Sequence, residues 1–148
     1  MKIVVDTNVI ISAILHPSGK IGELLMYAQK EFQFYAPYLV KDEIKQHQAK
    51  LLLLSQMNND DFEIVKDLIF NCLMFISEEQ IPFEYWQNAL PIVREVDIDD
   101  IAFVVLSEYI DAKLWTGDKK LLVGISKKGF QRGISTEDVY ALKIAKKD

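Results

Sequence analysis

The sequence predicts an α/β fold built on a mainly parallel sheet. Three observations carry that expectation. Ile3, Val4 and Val5 form an unbroken β-branched run, which suits a strand buried on both faces of a parallel sheet. Strand-like and helix-like segments then alternate along the chain, the order that joins parallel strands through helices. Acids also stand where strands give way to helices: Asp6 after the first strand, and Asp118 after Lys113-Leu-Trp-Thr-Gly117. Open α/β sheets bind ligands at that carboxyl edge.

In chain order, Asp6 or Thr7 can cap a first helix whose inner side carries Val9, Ile10, Ala13 and Ile14. His16-Pro-Ser-Gly19 reads as a turn with His16 in solvent. Lys20 to Lys30 reads as a helix, with Ile21, Leu24, Leu25 and Ala28 at helical spacing. Phe32-Gln-Phe-Tyr-Ala36 is the second predicted strand, and Pro37 suits the first position of a helix running to about Leu54. On a wheel of about 100° per residue, Val40, Ile44, His47, Leu51 and Leu54 share one stripe. Glu43 borders that stripe, whereas Asp42 and Lys45 point away from it. Burying a lone carboxylate is costly, so an inward Glu43 calls for a cation or a base beside it. His47, one turn on, reads as a packed or hydrogen-bonding histidine.

Ser55 to Asp60 is a turn, and Asn59 or Asp60 is expected to cap a helix to about Leu73. Met74 to Ile76 is a short extended piece. Ile81-Pro-Phe opens another helical stretch, with Phe83, Trp86, Leu90 and Val93 inward and Pro91 disturbing it. The block from Leu51 to Glu95 clusters no catalytic residue types, so its methionines and aromatics read as core or homodimer surface. Asp97, Asp99 and Asp100 then head an apolar helix. Capping and the helix dipole explain one or two of them. Asp100 shares a face with Phe103, Val104 and Ser107 and is expected to look inward. Asp97 is the second inward choice, and Asp99 fits a cap or solvent. A strand from Lys113 ends in Thr-Gly-Asp118, where a Gly-Asp turn with Asp118 as cap is the plain alternative. A helix follows over Lys119-Lys-Leu-Leu-Val123, then a basic loop, Lys127-Lys-Gly-Phe-Gln-Arg132. Ile134 closes a last edge strand, and Thr136-Glu-Asp caps the final helix.

The chain has 148 residues, half of them apolar and 26% charged, which suits one domain over 1–148 with a sizeable core. No repeat, low-complexity tract or linker divides it. The net charge of −5 argues against a generic basic nucleic-acid binder, unless the acids gather around cations. Cys72 is the single cysteine and reads as a small buried hydrophobe, so a disulfide framework or cysteine-rich zinc site is excluded. The N-terminus is too polar at Asp6 and Asn8 for a signal-peptide core, and nowhere do eighteen apolar residues run together. A cytoplasmic protein with no membrane association is expected.

Parallel strands bring their carboxyl ends to one edge, so Asp6, Asp100 and Asp118 are expected to converge there with Glu43. Two unit charges about 5 Å apart repel by roughly 3 kcal/mol at an effective dielectric near 20. Four such groups need compensation. Hard divalent cations supply it, and Mg²⁺ in particular takes a few carboxylates, waters and a substrate phosphate. Such centres activate water and steady the charge on a phosphodiester during displacement.

Asp-Thr-Asn-Val-Ile-Ile-Ser-Ala at 6–13, Glu43 after Pro37, Asp-Ile-Asp-Asp at 97–100 and Thr-Gly-Asp-Lys-Lys-Leu-Leu at 116–122 together resemble the PIN domain. The resemblance spans nearly the whole chain in the right order. It implies a three-layer α/β/α fold with about four to five strands, and a Mg²⁺- or Mn²⁺-dependent ribonuclease, often the VapC-type toxin of a toxin–antitoxin pair. By position, Asp6, Asp100 and Asp118 match the metal-binding acids, with Asp97 hard to separate from Asp100. Glu43 matches the fourth acid, which often acts through water, and Thr7, Asn8 and Thr116 match the supporting polar positions. RNA is the implied substrate, and an antitoxin and a second copy of the chain are the implied protein partners. The block from Leu51 to Glu95 is longer than in compact toxins. Two other classes compete: a non-catalytic binding protein that keeps the fold, and a haloacid-dehalogenase-like phosphatase with Asp6 as nucleophile. The second wants an acid two residues after Asp6, where this chain has Asn8. With a negative net charge, local cations must hold RNA; Lys119, Lys120, Lys127, Lys128 and Arg132 follow Asp118 and are the expected grip, or else an ordinary solvated charge run.

Overall fold

The computed structural model describes residues 1–147. Five strands form one sheet: β1 (Lys2–Val5), β2 (Gln33–Pro37), β3 (Met74–Ile76), β4 (Lys113–Trp115) and β5 (Gly133–Ile134). All neighbours pair in parallel, in the order β3-β2-β1-β4-β5. Around the sheet lie α1 (Thr7–Leu15), α2 (Lys20–Tyr27), α3 (Leu39–Gln46), α4 (Gln48–Ser55), α5 (Asn59–Phe70), α6 (Phe83–Val93), α7 (Ile101–Tyr109), α8 (Lys119–Lys127) and α9 (Thr136–Lys147). This is a three-layer α/β/α architecture, as the sequence predicts. The chain lays down strands on one side of β1 and then returns to build the other side. The order therefore reverses between β1 and β4, the point where such sheets open a crevice at their carboxyl ends.

Ile3, Val4 and Val5 are wholly buried, because β1 is central and covered on both faces. Over β1, β2 and β4 packs α7, whose residues Ala102 to Ser107 are all buried; α6 backs α7. The helix α1 gathers α2, α3, α4 and α5 through Val9, Ile10, Ala13 and Ile14. Trp115 joins the core fully buried, its ring 6.0 Å from Phe34 and its indole N–H donating to Thr136 Oγ1. No single helix among the described residues is long and apolar enough to cross a membrane.

Several elements depart from the sequence reading. The helix expected from Pro37 to Leu54 is two helices, α3 and α4, broken at His47. Pro37 ends β2 opposite Ile76 instead of opening α3; a proline, with no N–H to give, is tolerated at a strand end. The first free amide of α3, Leu39 N–H, donates to Glu78 Oε1 at 2.7 Å, a cap supplied from a distant segment. Because the break re-aims α4, Val40, Ile44 and Leu51 stay buried, but His47 is exposed and Leu54 is 59% exposed. Gln48 at the start of α4 is held by Glu63 of α5 at 2.6 Å.

Asn58, rather than Asn59 or Asp60, caps α5, accepting from Asp61 N–H. In α6 the inward residues are Ala89 and Val93, with Trp86 and Leu90 half-buried and Phe83 73% exposed. Cys72 is half-buried in the turn before β3, its thiol donating to Leu68 O. The helix α8 runs on from Val123 to Lys127 with Lys128 as its cap, and the basic segment from there to Arg132 is a loop.

Gly22 of α2 is required by a close approach. A Cβ there would run into the Pro17 carbonyl, which is main chain and cannot rotate away. Gly22→Ala is therefore expected to cost about 1–3 kcal/mol despite the better helix propensity of alanine. Thermal unfolding should show the midpoint falling by roughly 2–12 °C for a chain of this size; an unchanged or raised midpoint would mean the α1–α2 turn yields freely.

Candidate functional site

The crevice between β1 and β4 is built from Asp6 outward. Its backbone N–H donates to Trp115 O at 2.9 Å, which ties the end of β1 to the end of β4. The side chain then caps α1: Oδ1 accepts from Thr7 N–H at 2.7 Å. Oδ2 accepts from the hydroxyl of Thr116 at 2.7 Å, and that hydroxyl oxygen accepts from Asp118 N–H at 3.1 Å. Asp118 in turn caps α8 through Leu121 N–H, and Asn8 Oδ1 accepts weakly from Gly117 N–H at 3.4 Å. Thr7, Asn8 and Thr116 thus all belong to one polar seam across the two strand ends.

Asp6 is only 4% exposed. Burial pushes its carboxyl above the ordinary range; the Thr116 and Thr7 hydrogen bonds pull it back, and the charges of Glu43 and Asp118 push it up again. Asp100 stands half-buried at the start of α7, with no side-chain bond of its own to that helix. Its carboxyl is raised to about 7, first by burial and then by Asp6, Asp97, Asp118 and Glu43 in that order. The charges of Asp6, Asp97, Asp118 and Glu43 thus all bear on Asp100, although Asp97 itself is exposed. Asp97 caps the short 3-10 turn Ile98–Asp100 through Asp99 N–H, and Asp99 itself faces solvent. Glu43 reaches the cluster from α3, half-buried, on the helix side away from Lys41 and Lys45.

The family model of the PIN domain matches residues 4–138. The chain belongs to the PIN-domain family. A chain in the crystal structure of VapBC2 from Rickettsia felis, bound to a DNA fragment from its promoter, superposes with a TM-score of 0.66 at 16% identity, over 91% of this chain and 97% of that one. The crystal structure of PAE2754 from Pyrobaculum aerophilum superposes with a TM-score of 0.68 at 13% identity, over 98% and 90%. No curated protein matches the chain by sequence.

Within this PIN fold the donor set suits a hard cation. Carboxylate and hydroxyl oxygens are its only ligand types, as Mg²⁺ and Mn²⁺ prefer. Thr7 Oγ1, beside Asp6, is buried with no hydrogen-bond partner, a polar atom turned toward nothing in the protein. Among the described residues no three His, Cys, Asp or Glu side chains are already gathered about one point. Mg²⁺ does not demand such a cage, since it usually keeps several waters and takes one or two carboxylates directly. The residues fit the ion as a partly hydrated guest.

The expected RNA grip divides. Lys119 and Lys120 are exposed in the first turn of α8, directly after Asp118. Lys127 is exposed at the far end of that helix, and Lys128 is engaged by Glu95 at 2.8 Å. Arg132 precedes β5, at the amino edge of the sheet, where Asp111 and Glu108 hold it at 2.6 and 3.4 Å. It is not brought to the acids.

The raised Asp100 carboxyl makes a signed prediction for the metal-free protein. Its folded value near 7 lies above the ordinary 3.8, so the folded state binds the proton more tightly. The stability that Asp100 contributes is then fully present below its ordinary 3.8 and is lost as pH rises through about 7, and burial of Asp6 acts in the same direction. In EDTA, Asp100→Asn should remove most of that decline and melt several degrees above wild type at pH 8, since the Asp100 side chain makes no cap bond to α7 that the amide would lose. A lower midpoint for the variant at pH 8 would show that the Asp100 charge is stabilised rather than strained.

Proposed function

We propose that the chain is a divalent-metal-dependent endoribonuclease that hydrolyses RNA phosphodiester bonds, and that it acts as the VapC-type toxin of a toxin–antitoxin pair. The observation that carries the reading is the buried Asp6 carboxylate joined through Thr116 to Asp118 at the reversal point of the sheet. Membership of the PIN family supports nuclease chemistry, and likeness to a chain of a VapBC complex supports an antitoxin partner. The phosphatase reading finds no support, because Asn8 stands where its second acid belongs and contributes an amide oxygen to Gly117 instead.

Asp6, Asp100 and Asp118 would hold Mg²⁺ or Mn²⁺, with Asp97 adjoining and Glu43 acting through water. When bound, the ion supplies charge stabilisation for the phosphodiester and lowers the pKa of a bound water. Thr116 fixes the rotamer of Asp6 by donating to Oδ2, and Thr7 N–H fixes the other oxygen, so the free lone pairs of Asp6 face the crevice in one orientation. The apolar wall of Val4, Val5 and α7 limits water behind Asp6 and strengthens the field in front of it. Lys119 and Lys120 stand beside Asp118 to meet the phosphate backbone.

The purified protein should cleave RNA with Mg²⁺ or Mn²⁺ and stop in EDTA. Asp6→Asn and Asp118→Asn should each lower cleavage by about 10²-fold or more, because an amide brings neither the charge nor the ligand strength. Asp100→Asn should match Asp6→Asn, Asp97→Asn should be intermediate and Asp99→Asn mild. Full activity of Asp6→Asn, or in EDTA, would refute the metal-nuclease reading, and Asp99→Asn as the worst of its group would refute the assignment of the inward acid.

A further inference from the structure

On the side of α3 turned away from Glu43 the chain carries a feature of opposite character. Lys41 and Lys45 flank Glu43 by two residues each, about 200° around the helix, and so face the other way. With Lys66 of α5 they line a cleft of about 330 Å³, floored by Ile44 and Phe70 and closed by Gln48. Lys66 is offset by Glu63 at 2.7 Å, and the same carboxylate also accepts from Gln48, whereas no ion pair engages Lys41 or Lys45 among the described residues. Beside the cleft, at the carboxyl end of β2, stands Tyr38, 46% exposed. Its ring lies 6.0 Å from that of Phe75 on β3, and the Lys41 ammonium sits 5.1 and 4.4 Å from the two ring centres. An acidic chain has thus gathered, on the side of α3 opposite Glu43, two cations without ion pairs among the described residues and an exposed tyrosine backed by half-buried Phe75.

We propose that this cleft and the Tyr38–Phe75 platform bind single-stranded RNA, with Lys41 and Lys45 on phosphates and Tyr38 under an unstacked base; the substrate class rests on the ribonuclease reading above. The combination selects the ligand. Cations alone would serve any polyanion, but the exposed Tyr38 ring beside them adds stacking that only a splayed base can use. A duplex keeps its bases stacked inside, and it is too stiff to turn over α3 from the cleft to the acids. A single strand does both.

The test separates grip from cleavage by measuring binding of a fluorescein-labelled 12-nucleotide single-stranded RNA in EDTA, with a duplex and an abasic strand of equal charge beside it. The Lys41→Glu/Lys45→Glu pair should bind the single strand at least ten-fold more weakly. The Lys41→Ala/Lys45→Ala pair should shrink the slope of log affinity against log salt by about 1.4, or 0.7 per phosphate contact. Tyr38→Ala should lose about 5- to 150-fold for the single strand, Tyr38→Phe should retain binding, and neither should change the weaker binding of the abasic strand. All these positions are exposed, so the variants should melt as wild type does; Lys41→Gln/Lys45→Gln serves if the charge reversal does not fold. An unchanged affinity and salt slope in the lysine variants, or equal binding of duplex and single strand by wild type, overturns the proposal. Patch-dependent binding without cleavage in Mn²⁺ would instead overturn the nuclease reading and leave the RNA surface standing, whereas cleavage with no dependence on the patch would do the reverse.

Discussion

Everything at this edge of the sheet follows from holding the Asp6 carboxylate in a place with almost no water. A carboxylate at 4% exposure loses hydration that its two hydrogen bonds do not fully replace, which is why its affinity for a proton rises. An asparagine would keep the cap on α1 without that penalty. The fold instead surrounds Asp6 with more negative charge. Parallel strands carry Thr116 and Asp118 to the same edge, α7 brings Asp100, and α3 brings Glu43. Burial and the neighbouring charges raise the proton affinity of Asp6 and Asp100, a cost of the kind that functional sites retain.

The acids also serve the scaffold. Asp6 caps α1, Asp118 caps α8, and Asp97 caps the turn before α7. This double use explains how a mutually repelling group is held in register: Asp6, Asp97 and Asp118 are each anchored to an amide at the start of the element they head. Asp100 differs from these three caps. It has no such anchor, and it is also the group whose proton affinity rises furthest, to about 7.

How much of this was legible in the sequence depends on how local the cause was. The strand–acid–helix junctions at Asp6 and Asp118 are written in adjacent residues, so the sheet, the family and the acids could be read directly. The inward face of Asp100 followed from helical spacing to Phe103 and Val104. What escaped were features set by distant partners. The break at His47 accompanies the hold of Glu63 on Gln48, and the start of α3 is capped by Glu78, 39 residues away. Lys128 and Arg132 looked like free cations, but Glu95, Glu108 and Asp111 meet them only in the folded chain. Helical spacing turns Lys45 away from the apolar stripe of α3, and only the fold sets Phe70 and Lys66 against that side and Phe75 against Lys41.

As proposed, these acids form one cation site rather than serving separately as caps and surface charges. Thermal melts of wild type and Asp6→Asn, each in saturating Mn²⁺ and in EDTA, test it without any substrate. A ligand that binds only the folded state at 100 times its dissociation constant adds about 2.7 kcal/mol. For a chain of this length that should raise the wild-type midpoint by about 5–10 °C, with a much smaller shift in Asp6→Asn. A wild-type midpoint indifferent to both Mn²⁺ and Mg²⁺ would contradict the account and return each acid to its cap.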